Sequence, residues 1–113
     1  MLRILVTVLT LLSTASQAQA TSGSGCWQPV GVASDDVLNV RSARSAGSAI
    51  VGAIPPFGGP IIAGGRSLAQ AEANCGPRSR PRGSRWCRVD VYGSGGNFSG
   101  YIKRRYLRPS DCP

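Results

Sequence analysis

An all-β barrel is the fold class that this sequence predicts, and three observations predict it. The apolar segments are short, at residues 38–41, 50–54, 61–63, 86–92 and 100–103, and turns rich in glycine and proline separate them. In 38–41 and 86–92 apolar and polar residues alternate, which is the period of a strand with one buried face. Four cysteines in a chain of 113 residues point to a small core held by staples.

Residues 1–20 stand apart from the fold. Met1-Leu2-Arg3 is a short basic start, residues 4–12 are an apolar run, and Ala18-Gln19-Ala20 is a small-x-small cleavage site, together the pattern of a signal peptide. The run is broken by Thr7 and Thr10 and falls far short of the ~20 residues that a membrane span needs. The expectation is therefore export, cleavage before Thr21, no transmembrane segment afterwards, and a periplasmic or secreted protein.

The 93 residues from 21 to 113 suffice for one small domain and are too few for two. Residues 21–25 read as a flexible Ser/Gly linker and 26–113 as the domain. All four cysteines, Cys26, Cys75, Cys87 and Cys112, fall in this part, and an even count in an exported chain reads as two disulfides. Three connectivities are open on the sequence alone. The full chain carries a net charge of +8, and loss of Arg3 leaves +7. Such a surface favours anionic partners without choosing among wall polymer, lipopolysaccharide, nucleic acid and acidic protein.

Each element has its own signal. In Leu38-Asn39-Val40-Arg41 the apolar pair points inward, and residues 42–48 are small and polar, a loop. The run 50–54 stops at Pro55-Pro56, and Phe57-Gly58-Gly59-Pro60 turns the chain into 61–63. Ser67-Leu68-Ala69-Gln70 has capping-box spacing, 69–73 are mostly helix formers, and Gly76-Pro77 is a stop, so a short helix is predicted there. In 86–92, Cys87, Val89 and Val91 share one face and Trp86, Arg88, Asp90 and Tyr92 the other. Residues 93–96 form a glycine-rich turn before the final strand at 100–103.

The inventory argues against an enzyme. There is no histidine, and the acidic residues are only Asp35, Asp36, Glu72, Asp90 and Asp111, with no nucleophile beside a base. Ligands at metal-binding spacing are missing, and Cys75 and Cys87 are twelve apart, unlike a redox Cys-x-x-Cys pair. No cofactor is expected. Trp86 is the sharper binding candidate: on the outer face with Tyr92 it would be an exposed anchor, and the competing reading has it covered by the segment before it. Trp27 is expected to pack over a disulfide at Cys26. Arg78, Arg80, Arg82 and Arg85 alternate, so in an extended chain they would form one anion-binding stripe. Lys103, Arg104, Arg105 and Arg108 form a second basic cluster.

Four segments in order carry a family resemblance: Asp36-Val37-Leu38-Asn39-Val40-Arg41-Ser42, Val51-Gly52-Ala53-Ile54-Pro55-Pro56, Trp86-Cys87-Arg88-Val89, and Gly100-Tyr101-Ile102-Lys103-Arg104-Arg105-Tyr106-Leu107. They resemble the bacterial Src-homology-3-like (SH3b) domain over about residues 31–107. The resemblance implies a small five-stranded barrel that binds rather than catalyses, on an extracytoplasmic bacterial protein, often with cell-wall or peptide ligands. Against that family, residues 64–85 are an insertion. The ends of such a barrel lie close together, which implies Cys26 with Cys112 and Cys75 with Cys87, the second bond tethering the insertion. The last segment also resembles the closing segment of eukaryotic Src-homology-3 domains, whose groove tyrosine corresponds to Tyr106. Lys103 replaces the groove proline, which speaks against polyproline recognition and leaves an acidic or amidated peptide.

The resulting expectation is a non-catalytic binding module for cell-wall peptide or glycopeptide, through Trp86, Tyr92, Lys103, Arg105 and Tyr106. A rival expectation is an electrostatic module gripping an anionic polymer or lipid headgroup through Arg78, Arg80, Arg82 and Arg85, with nucleic acid ranked below these. A third is a structural partner of another extracytoplasmic protein.

Overall fold

The structure is a computed structural model that describes residues 23–93 and 95–113; the expected signal peptide and residues 21–22 lie outside these. Among the described residues, eight strands form one antiparallel sheet: β1 (Cys26–Pro29), β2 (Leu38–Arg41), β3 (Ile50–Ile54), β4 (Ile61–Ala63), β5 (Cys75–Gly76), β6 (Trp86–Gly93), β7 (Gly96–Lys103) and β8 (Leu107–Ser110). Among the described residues one helix, α1 (Leu68–Ala73), and two single 3-10 turns, Arg82–Ser84 and Arg104–Tyr106, accompany the sheet. The sheet runs β3-β2-β7-β6-β4-β1-β8, with β5 paired to β6 alongside β4. Its two end strands, β3 and β8, are not paired with each other among the described residues.

Strand alternation decides the core. Leu38 and Val40 of β2, Cys87, Val89 and Val91 of β6, Ile102 of β7 and Leu107 of β8 are all buried, together with Ile54 and Ile62. The run in β3 is a different case: it lies at the end of the sheet, and only Ile54 is buried while Ile50 and Val51 stay exposed. β2 and β3 form a hairpin that crosses back over β7. Gly52 permits this approach, since a Cβ there would sit 2.3 Å from the Phe98 ring.

The two ends of the domain are zipped together. β1 pairs with β8 from Cys26 opposite Ser110 to Pro29 opposite Leu107, and Cys26 is disulfide-bonded to Cys112. Cys75 is bonded to Cys87 across the β5–β6 pair. By loop length the shorter closure contributes about 3 kcal/mol and the end-to-end closure about 4–5 kcal/mol. The segment expected as a linker is bound over its described residues. Gly23 O accepts from Leu68 N, Gly25 O accepts from Gly64 N, and Ser24 Oγ accepts from Cys112 N.

Within the insertion, Ser67 caps α1 by accepting from Gln70 N at 3.1 Å. Gln70 Oε1 accepts from Arg66 N rather than from the cap residue, one position short of a reciprocal capping box. Six residues of isolated helix would not hold. Here Ala71 is buried in the core, and Asn74 Nδ2 donates to Gly64 O at 2.6 Å across the base of the insertion.

Candidate functional site

A groove of about 490 Å³ lies between the loop that follows β1 and the outer face of β2, β6 and β7. Trp86 and Lys103 contribute from β6 and β7, Arg41 from β2, and Tyr106 from the closing 3-10 turn, with Asp36 and Val37 on the loop side. Strand pairing explains the convergence. Trp86 is opposite Lys103 and Arg41 is opposite Tyr101, so Lys103 and Arg41 are diagonal neighbours, roughly 7–8 Å apart at the backbone. The loop is tied down where Val30 N donates to Tyr106 O at 2.8 Å.

Of the two readings of Trp86, the exposed anchor and the covered ring, burial favours the covered one. Only 7% of it is accessible, because β5 pairs along one side of β6 and Lys103 lies over the indole with Nζ 5.7 Å from the ring. It therefore forms the floor of the groove and presents a rim rather than a face. Arg44 holds this layer from above: its guanidinium donates to Trp86 O and Asn74 O and lies 4.7 Å from the Tyr101 ring.

Tyr92 does not join this site. It sits six residues along β6 from Trp86, about 20 Å away at strand rise, and lines a different cavity with Ile61 and Phe98. Arg105 is exposed outside the groove, with its guanidinium 5.6 Å from the Tyr106 ring. A further cavity of about 400 Å³ lies beside Pro55, Pro56 and Phe57. Of these cavities, the one over Trp86 unites aromatic side chains with two cations that have no carboxylate within salt-bridge reach among the described residues.

The four loop arginines do not form a stripe, because the chain is not extended there. Arg80 N closes a turn onto Pro77 O, and Arg82–Ser84 is a 3-10 turn. Arg82 pairs with Glu72, while Arg85 donates to Arg80 O and Arg78 O of its own loop. Arg78 and Arg80 remain exposed. The two basic segments nevertheless meet: Arg104 N donates to Arg85 O at 2.8 Å.

Arg104 is the residue that sequence reasoning misplaced. Counted with the basic cluster of Lys103, Arg105 and Arg108, it is 7% exposed. Its Nε and Nη2 donate to the two carboxylate oxygens of Glu72 at 3.0 and 2.8 Å, its Nη1 donates to Leu107 O at 2.6 Å, and its guanidinium lies 4.7 Å from the Trp27 ring. Trp27, expected over the terminal disulfide, is in the core cluster under this cation. The hydrogen bond from Arg104 holds the Glu72 carboxyl below its ordinary value of 4.5, opposed by burial and aided by Arg82. No signal in the sequence distinguishes Arg104 from Arg105, since only the tertiary approach of α1 selects it.

Comparison with known proteins yields no match to a family model, a curated protein or a solved structure.

Proposed function

We propose that this protein is a non-catalytic, SH3b-type binding module acting outside the cytoplasm, with cell-wall peptide or glycopeptide as its ligand. The observation that carries the reading is the groove over Trp86, where Lys103, Arg41 and Tyr106 converge from three separate elements. A peptide lying in it would meet an aromatic floor, apolar side chains such as Val32, Val37 and Leu38, and a few polar groups, the composition that binding clefts favour.

In this reading β1, β4, β6, β7 and β8 are the five strands of an SH3-like barrel. The hairpin of β2 and β3 is then its long first loop, and β5 belongs to the insertion, which accounts for eight strands. Two disulfides fit an oxidising compartment, and no helix among the described residues is long and apolar enough to cross a membrane. The arginine loop is the weaker candidate, because Arg82 and Arg85 are already engaged internally.

Co-sedimentation of the oxidised protein with purified peptidoglycan sacculi tests the proposal. Binding that survives high salt in large part and is lost in Tyr106→Ala supports it. Binding that falls steeply with salt and is lost when Arg78 and Arg80 are both alanine would move the site to the loop. No pelleting at any salt would leave a protein partner as the better reading.

A further inference from the structure

The groove contains an imbalance of charge that specifies part of its occupant. Lys103 and Arg41 both line it, and neither has a carboxylate within 4 Å among the described residues. Arg41 spends Nη1 on Ser48 O at 3.0 Å, which fixes the guanidinium while leaving its other N–H groups unused by described partners. Lys103 Nζ rests over the Trp86 ring and makes no hydrogen bond to a described residue. Asp36 is the one carboxylate lining the groove, and its Oδ1 accepts from Val37 N at 2.7 Å within its own loop.

Two cations about 7–8 Å apart at the backbone, on long side chains, are spaced to close on a single carboxylate. The aromatic floor beneath Lys103 lowers the local dielectric and strengthens that contact. We infer that the groove recognises its peptide by a free carboxylate, held jointly by Lys103 and Arg41, with Tyr106 flanking the chain that leads to it. The inference rests on the groove being the binding site and adds the chemical group that it selects.

The test uses the tetrapeptide L-Ala-D-isoGln-L-Lys-D-Ala, whose only carboxylate is its C-terminus, as the free acid and as the C-terminal amide. Titration of the oxidised protein is expected to show the acid binding about tenfold more tightly, the scale of a charge-assisted hydrogen bond. Lys103→Met and Arg41→Met should each bring the acid down to the level of the amide, with unfolding midpoints confirming that both variants are folded. Equal affinity for acid and amide would overturn the carboxylate inference and leave the groove standing. Binding of neither form would overturn both.

Discussion

Glu72 and Arg104 are joined by a two-point ion pair, Nε to Oε1 at 3.0 Å and Nη2 to Oε2 at 2.8 Å, across 32 residues of chain. One partner lies on α1 of the insertion and the other on the 3-10 turn that leads into β8. The pair therefore fastens the insertion to the segment carrying Lys103 and Tyr106, while the Cys75–Cys87 bond ties it to β6. The insertion is thus tied to the closing segment and to β6, and also to the N-terminal segment, where Leu68 N donates to Gly23 O.

Truncation at Arg104 should be costly. Arg104→Ala removes two of the three donors to Glu72, leaving Arg82, and also removes the donor to Leu107 O and the cover of Trp27. We expect a loss of about 2–3 kcal/mol in urea unfolding, below the full cost of breaking a buried pair because water reaches Glu72 in part. Arg104→Lys should recover only a fraction, since an ammonium cannot reproduce the fork.

The same pair sets an acid limit. Glu72 is lowered from 4.5 chiefly by the hydrogen bond from Arg104. A depressed carboxyl stabilises the fold above its unfolded value, and that stability is lost as pH falls through the folded value. Stability attributable to Glu72 should thus be constant from pH 7 to about 5 and decline below pH 4.5. Urea midpoints of the native protein and of Glu72→Gln, followed from pH 7 to 3, should converge as acid is added; a constant gap would contradict this.

Gly64 is fixed by packing rather than by a turn. A Cβ there would lie 2.3 Å from Trp27 Nε1 and 2.8 Å from Ala71 Cβ. Gly64→Ala should cost roughly 1–3 kcal/mol, the usual effect of overpacking, read as a lower thermal midpoint. An unchanged midpoint would mean that Trp27 and Ala71 do not pack this closely on Gly64.

Trp86→Ala is expected to destabilise the fold by about 3–5 kcal/mol, because the side chain is a buried floor. Arg78→Ala and Arg80→Ala should each stay within about 0.5 kcal/mol of the native protein, as exposed changes do. Thermal unfolding of the three variants checks both statements. Trp86→Ala is accordingly a poor probe of binding, and Tyr106 and Lys103 are the residues to change.

Much of the sheet was legible in the sequence because its determinants are local. Alternation in 38–41 and 86–92, the proline stop after Ile54 and the Ser67 cap each act within a few residues. β5 was not legible: Cys75–Gly76 becomes a strand only because it pairs with β6. β1 and β8 are likewise strands through pairing with each other, in segments too short and mixed to show a period. At the site, Lys103 and Tyr106 were found from sequence and do line the groove. For Trp86 the face was legible but the choice between an exposed and a covered ring was not, because the covering β5 and Lys103 come from other parts of the chain. Arg41, Arg44 and Arg104 were missed as determinants, since an arginine's role depends on which carbonyl, ring or carboxylate folding brings to it.

Mapping amide chemical shifts while the oxidised, isotope-labelled protein is titrated with soluble muropeptides released from sacculi would locate the binding surface. If the groove over Trp86 binds the ligand, perturbations concentrate at residues 36–41 and at Ala46, Trp86, Lys103 and Tyr106. Perturbations centred instead on residues 78–85, or none at saturating muropeptide, would contradict that placement.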